Sequence, residues 1–120
     1  MVKVNSYREL QVWQESIERV ELIYRQVNQF PKDELLGLSQ QIKRAAVSVP
    51  SNIAEGFMRK GTKEFVQFLN ISLGSLGELG TQIEISVRLG FVFSPDIIIA
   101  KIEVVRKMLY GLINSLKPKL

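Results

Sequence analysis

Gly37-Leu38-Ser39-Gln40-Gln41-Ile42-Lys43-Arg44-Ala45-Ala46-Val47-Ser48-Val49-Pro50-Ser51-Asn52-Ile53-Ala54-Glu55-Gly56 is the stretch whose periodicity decides the fold. Leu38, Ile42, Ala45, Val49, Ile53 and Gly56 recur at alternating steps of four and three, the spacing that puts residues on one face of an α-helix. Beside that stripe runs a polar strip of Gln41, Arg44, Ser48, Ser51, Asn52 and Glu55, and on the far side lie Leu36, Val47, Pro50 and Ala54. A helix that is apolar on two faces, with a narrow polar strip between, contacts protein on more than one side. It is expected to be the central helix of an oligomer.

Three similar patterns flank it. Ser6-Tyr7-Arg8-Glu9 has the spacing of a capping box, and Leu10, Trp13, Ile17, Val20, Tyr24 and Val27 then form an apolar stripe that ends before Phe30-Pro31. Asp33 and Glu34 favour a new helix start, and Pro50 inside that helix is expected to kink or interrupt it. Thr62 is the expected N-cap of a third helix, whose stripe is Phe65, Leu69, Ser72, Leu76, Leu79, Ile83 and Ser86. Gly74, Gly77 and Gly80 each cost about 1 kcal/mol relative to Ala within a helix, which predicts close helix approach there. Gly90 is a C-terminal cap, and Ser94-Pro95-Asp96 opens a fourth helix with the stripe Ile98, Ile102, Val105, Leu109, Leu112 and Leu116, widened by Ile97, Val104 and Met108. Helices over about 7–28, 33–56, 62–89 and 95–117, joined by short loops, predict an all-α, antiparallel up-down-up-down four-helix bundle.

The 120 residues suit a single domain, 1–120, and 46% hydrophobic against 23% charged residues is the balance of a globular protein. With neither Cys nor His, the chain has no disulfide, no Cys/His metal site, no thiol nucleophile and no imidazole base. Glu15, Glu18 and Glu21 lack the Glu-x-x-His partner of a di-iron bundle, no Gly-rich phosphate loop follows a strand, and no Ser has a base to activate it. Neither catalysis nor a cofactor nor a metal is expected. No apolar run reaches the roughly 18 residues of a membrane span, so the expectation is a cytoplasmic protein with no membrane partner.

The net charge of +4 is modest, but the topology gathers it. An up-down-up-down bundle brings the N-terminus, the loop between the second and third helices, and the C-terminus to one end. That end collects Lys3, Arg8, Arg59, Lys60, Lys63, Lys117 and Lys119 against only Glu9, Glu55 and Glu64. The opposite end has Arg25, Lys32, Arg88 and Lys101 against Glu21, Asp33, Glu34, Glu84 and Asp96. Lys43, Arg44, Arg106 and Lys107 extend the basic set. The bland reading is a set of solvated helix ends, where cations are favoured by the dipole; the functional one is a phosphate-binding face, strengthened if an oligomer repeats it. The strip of Gln41, Arg44, Ser48, Asn52 and Glu55 is either a ligand site or a hydrogen-bonded network between helices or subunits, and the second is expected because buried polar groups must be paired. Trp13, Tyr24, Phe65 and Phe68 are assigned to the core, leaving Tyr7, Phe57 and Tyr110 as candidates for stacking on bases.

The chain also resembles a known family, on Leu10, Val12-Trp13-Gln14, Phe30-Pro31, Glu34, Gly37-Leu38, Gln41, Arg44-Ala45-Ala46, Ser48, Pro50, Asn52-Ile53-Ala54-Glu55-Gly56, Phe68-Leu69, Gly74-Ser75-Leu76 and Glu78-Leu79. These residues are similar to those of the ribosomal-protein-like four-helix bundles encoded in intervening sequences of bacterial large-subunit ribosomal RNA genes. Relatives of that family include the accessory variability determinant of diversity-generating retroelements. The resemblance implies a basic homo-oligomer, pentameric where known, associated with RNA or with a reverse transcriptase. It favours nucleic-acid binding, RNA above all, through Lys3, Arg8, Arg59, Lys60, Lys63, Arg106, Lys107, Lys117 and Lys119. A protein-binding scaffold for a reverse transcriptase and a purely structural oligomer stand as alternatives.

Overall fold

A computed structural model describes residues 4–91 and 94–120, and among these every regular element is helical. The helices are α1 (Gln11–Val27), α2 (Leu38–Met58), α3 (Thr62–Arg88) and α4 (Pro95–Leu116), with 3-10 turns at Tyr7–Glu9, Lys32–Glu34 and Lys117–Lys119. Each helix packs on the next and α1 closes against α4, giving the antiparallel four-helix bundle, 47 × 24 × 20 Å. Phe30 and Phe91, from the α1–α2 and α3–α4 connections, meet at one end with ring centroids 5.5 Å apart. Tyr7, the α2–α3 turn and the C-terminal 3-10 turn therefore share the other end.

The apolar periodicity of α2, α3 and α4 becomes the core. Ile42, Val49, Ile53, Leu69, Leu79, Val105 and Leu109 are all but inaccessible. α2 and α3 approach closely at Gly56, where an added Cβ would lie 2.6 Å from the Phe68 Cβ and 3.3 Å from the Phe65 carbonyl oxygen. The same pair is tied by hydroxyls: buried Ser72 Oγ donates to the Val49 carbonyl at 2.9 Å, and half-buried Ser48 and Ser75 share a hydrogen bond of 2.8 Å. Pro50 does not interrupt α2, which stays helical from Leu38 to Met58 although the Ala46 carbonyl has lost its usual amide donor.

The helix ends differ from expectation in three places. The hydroxyl of Ser6 accepts from the Arg8 amide, and the Glu9 carboxylate accepts from the Asn5 amide, but they cap only a 3-10 turn. Leu10 is extended at ψ 122°, so α1 begins at Gln11. Asp33 and Glu34 likewise sit in a separate 3-10 turn, because Gly37 takes a non-helical backbone conformation and breaks the chain before α2. Glu34 then reaches forward to accept from the Leu38 amide. Gly61, not Thr62, is the N-cap of α3, without a side-chain cap. Gly90 ends α3 as expected: with φ +79° it lets the Phe91 amide reach the Ser86 carbonyl at 2.8 Å, a Schellman closure.

The expected stripe of α1 is rotated. Its buried residues are Val12, Ser16, Arg19, Ile23 and Val27, while Trp13, Ile17 and Val20 are half-buried and Tyr24 is exposed. Phe65 and Phe68 are likewise only half-buried, so of the four aromatics assigned to the core none is fully enclosed. Arg19 takes a core position that its charge argued against. Its guanidinium pairs with Glu15 and donates to the Lys101 carbonyl at 3.2 Å, joining α1 to α4. On α4, Ile97 and Val104 point outward instead of widening the core stripe. Gly74, Gly77 and Gly80 do not mark a close approach within the chain, since an added Cβ at each would meet nothing within 4 Å.

Candidate nucleic-acid interface

The shared end of the bundle is built from the 3-10 turn at Tyr7–Glu9, the C-terminus of α2, the short turn into α3, and the 3-10 turn after α4. Each element delivers cations with a different surrounding. Arg8 sits beside aromatics, its guanidinium carbon 5.5 Å from the Tyr7 ring centre and 5.6 Å from that of Trp13. Arg59 is held over the Phe68 ring at 5.0 Å and bridges Glu55 at 3.4 Å and Glu64 at 3.8 Å, so it clips the α2–α3 turn. Lys60, Lys63, Lys117 and Lys119 are exposed, and none forms an ion pair among the described residues. Lys3 lies outside the described residues.

The three carboxylates assigned to this end are all engaged. Glu9 accepts from a backbone amide, and Glu55 and Glu64 share Arg59. The four lysines form no ion pair with any of them among the described residues. At the opposite end the arginines are paired, Arg25 with Glu21 at 3.9 Å and Arg88 with Glu84 at 3.1 Å. The bundle is electrostatically lopsided along its axis.

Arg106 and Lys107 do not belong to that end. They lie in the middle of α4, roughly 15 Å of helix before Leu116. Arg106 hydrogen-bonds Glu103 at 2.8 Å through Nε and stands 5.5 Å from the Tyr110 ring centre. That bond holds the Glu103 carboxyl below the usual carboxylate range and raises the guanidinium in turn. Of the stacking candidates, Tyr7 packs edge-on to Trp13 and Phe57 edge-on to Phe65, while Tyr110 is exposed on the α3–α4 flank.

The polar strip of α2 divides. Ser48 and Asn52 form a local network in which the Asn52 amide nitrogen donates to the Ser48 carbonyl at 2.8 Å and to its hydroxyl at 2.9 Å, beside Ser75 of α3. Gln41 and Arg44 are exposed, and Glu55 pairs with Arg59 rather than with Arg44. Two features had no clear sequence signal. One is the buried Arg19. The other is a trough between α3 and α4 bared by Gly77 and Gly80, whose only trace was helix-breaking residues inside a strong helical pattern.

Among the described residues no group of His, Cys, Asp and Glu could hold a metal ion, and no helix is long and apolar enough to cross a membrane. No curated protein matches the chain. In shape it is similar to the crystal structure of a protein of unknown function from the S23 ribosomal protein family of Bacteroides thetaiotaomicron, with a TM-score of 0.80 and 23% identity over 86% of this chain and 95% of that one. The model of the family described as 23S rRNA-intervening sequence protein matches residues 8–111, and the chain belongs to that family.

Proposed function

We propose that this protein is a non-catalytic, cytoplasmic RNA-binding bundle, assembled as a homo-oligomer, pentameric as the family resemblance implies, that holds RNA phosphates at its lysine-rich end. The observation that carries this reading is the gathering of Lys60, Lys63, Lys117 and Lys119 at one end, exposed and without an ion pair among the described residues. α3 opens beside Lys60 and Lys63 without a side-chain cap, so its first amides add donors on the same surface. Binding of this kind is electrostatic and reads little sequence, and repetition of the end in an oligomer multiplies it.

The test is binding of the purified protein to labelled hairpin RNA, single-stranded RNA and duplex DNA across a salt series. Tight binding to RNA that weakens steeply with salt is expected, and the triple variant Lys60→Glu, Lys63→Glu, Lys117→Glu should bind weakly at every salt concentration. Unchanged affinity in that variant overturns the assignment. No binding at low salt overturns it too, and directs attention to a protein partner such as the reverse transcriptase of a retroelement.

A further inference from the structure

Two flanks of the bundle are apolar and uncovered. Between α1 and α2, Trp13, Ile17, Val20, Val47, Pro50 and Ala54 line a surface groove of about 260 Å³ that continues past Tyr24 to Lys43 and Arg44. Between α3 and α4, Leu73, Gly77, Gly80, Ile99 and Tyr110 line a trough of about 520 Å³, with Glu84, Glu103 and Arg106 on its walls. The order of the helices around the bundle puts these flanks on opposite sides.

We propose that the two flanks are the two halves of one head-to-tail interface, the α1–α2 flank of each copy of this chain seating in the α3–α4 trough of the next. The inference rests on the oligomeric reading above and adds to it which surfaces meet. Shape supports the pairing: Val47 and Tyr24 project from the first flank, while Gly77 and Gly80 leave the second without side chains and with open space where each Cβ would be. Charge is compatible with it as well, since the first flank carries Lys43 and Arg44, which form no ion pair among the described residues, while the carboxylates of the second, Glu84 and Glu103, are balanced by Arg88 and Arg106 and present no excess cation. A bundle side 47 Å long and 20–24 Å wide is large enough for the ~800 Å² per subunit of a stable interface.

Pairing like with like is the poorer arrangement. Two α1–α2 flanks would bring Lys43 and Arg44 against their own copies, and two troughs would face each other across bare glycine. Unlike faces on one chain make a heterologous contact, which closes into a ring when the rotation between copies permits. Rotation about the ring axis keeps the lysine-rich end of every copy at the same level, which turns four lysines per chain into a continuous basic rim.

Val47→Glu on one flank and Gly77→Glu in the other test this directly. Val47 is 40% exposed and Gly77 has open space around it, so both variants should keep the wild-type helical circular dichroism. By light scattering or sedimentation, the wild type should be an oligomer and each variant alone a 13.7 kDa monomer. An equimolar mixture should stop at a dimer of one chain of each, because only one wild-type flank of each kind remains. A variant that still dimerises by itself shows a like-with-like interface and overturns the proposal, as does a mixture that stays monomeric or a monomeric wild type. RNA binding followed in the same samples separates the two readings: a monomeric wild type that binds RNA overturns the assembly and its interface but leaves the RNA assignment standing, and an oligomer that binds none overturns only the RNA assignment.

Discussion

Gly56 and Gly111 show how one residue type has opposite roles in this bundle. An added methyl at Gly56 would collide with Phe68 and crowd the Phe65 carbonyl, while at Gly111 it would meet nothing within 4 Å. Gly56→Ala gains about 1 kcal/mol of helix propensity but incurs overpacking of about 1–3 kcal/mol against a neighbouring helix whose backbone cannot easily retreat. Its denaturant midpoint should fall. Gly111→Ala gains the propensity without the clash, and its midpoint should rise by up to about 1 kcal/mol of stability. Glu103 supplies a residue-scale prediction in pH. Its carboxyl is held low by Arg106, so the pair stabilises the fold above the unfolded-state value near 4.5 and the contribution is lost as pH falls through the lower folded-state value. The melting temperatures of wild type and Glu103→Gln should therefore differ slightly at neutral pH and converge in acid. An unchanged gap between the two melting curves down to about pH 2 would sink that account.

Among the elements, α4 was the most legible in its bounds, expected at 95–117 and found at Pro95–Leu116, and α1 the least in its buried face, for a physical reason. Periodicity reports which residues are apolar, not which flank of an apolar helix turns to the bundle axis. In α2 the stripe of Ile42, Val49 and Ile53 is the core, but in α1 the line from Trp13 to Tyr24 covers a side groove, and Val12, Ile23 and Val27 face inward with Arg19 among them. Arg19 was illegible because its burial depends on Lys101, far away in sequence, whose carbonyl accepts its hydrogen bond. Boundaries failed where one residue outweighed a capping pattern, at the extended Leu10 and at Gly37. The Arg19 linkage is testable. Arg19→Ala strips a hydrogen-bonded charge from α1–α4 and leaves Glu15 without its cation, with an expected loss of about 1.5–3 kcal/mol in a denaturant titration. Arg19→Met keeps most of the volume and removes the buried charge, so it should be the milder change. A Met variant as damaged as the Ala variant would show that the guanidinium bonds, not the packing, hold α4 in place.

The whole molecule is a dipole of charge laid along a bundle, and that is where its candidate function was partly readable. Antiparallel connectivity alone brings Arg8, Arg59, Lys60, Lys63, Lys117 and Lys119 to one end, so their gathering followed from loop lengths and helix count. Which of them remain unpaired did not, because it depends on side-chain geometry: Arg59 is taken by Glu55 and Glu64, while Lys60, Lys63, Lys117 and Lys119 form no ion pair among the described residues. Arg106 and Lys107 show the converse, since a position on α4 far from the end makes them neighbours of the trough instead. This division predicts different salt behaviour for different cations. Replacing Lys60 and Lys63 by Gln should lower the slope of log affinity against log salt by about 0.7 for each phosphate that the variant no longer neutralises on single-stranded RNA. Replacing Arg59 by Gln should change the slope little, because its charge is already shared with two carboxylates, but should lower the melting temperature by loosening the α2–α3 turn. The order of the two slopes is decisive: an Arg59 variant with the larger change would place the phosphates on the turn itself, and would mean that RNA displaces Glu55 and Glu64 from the guanidinium on binding.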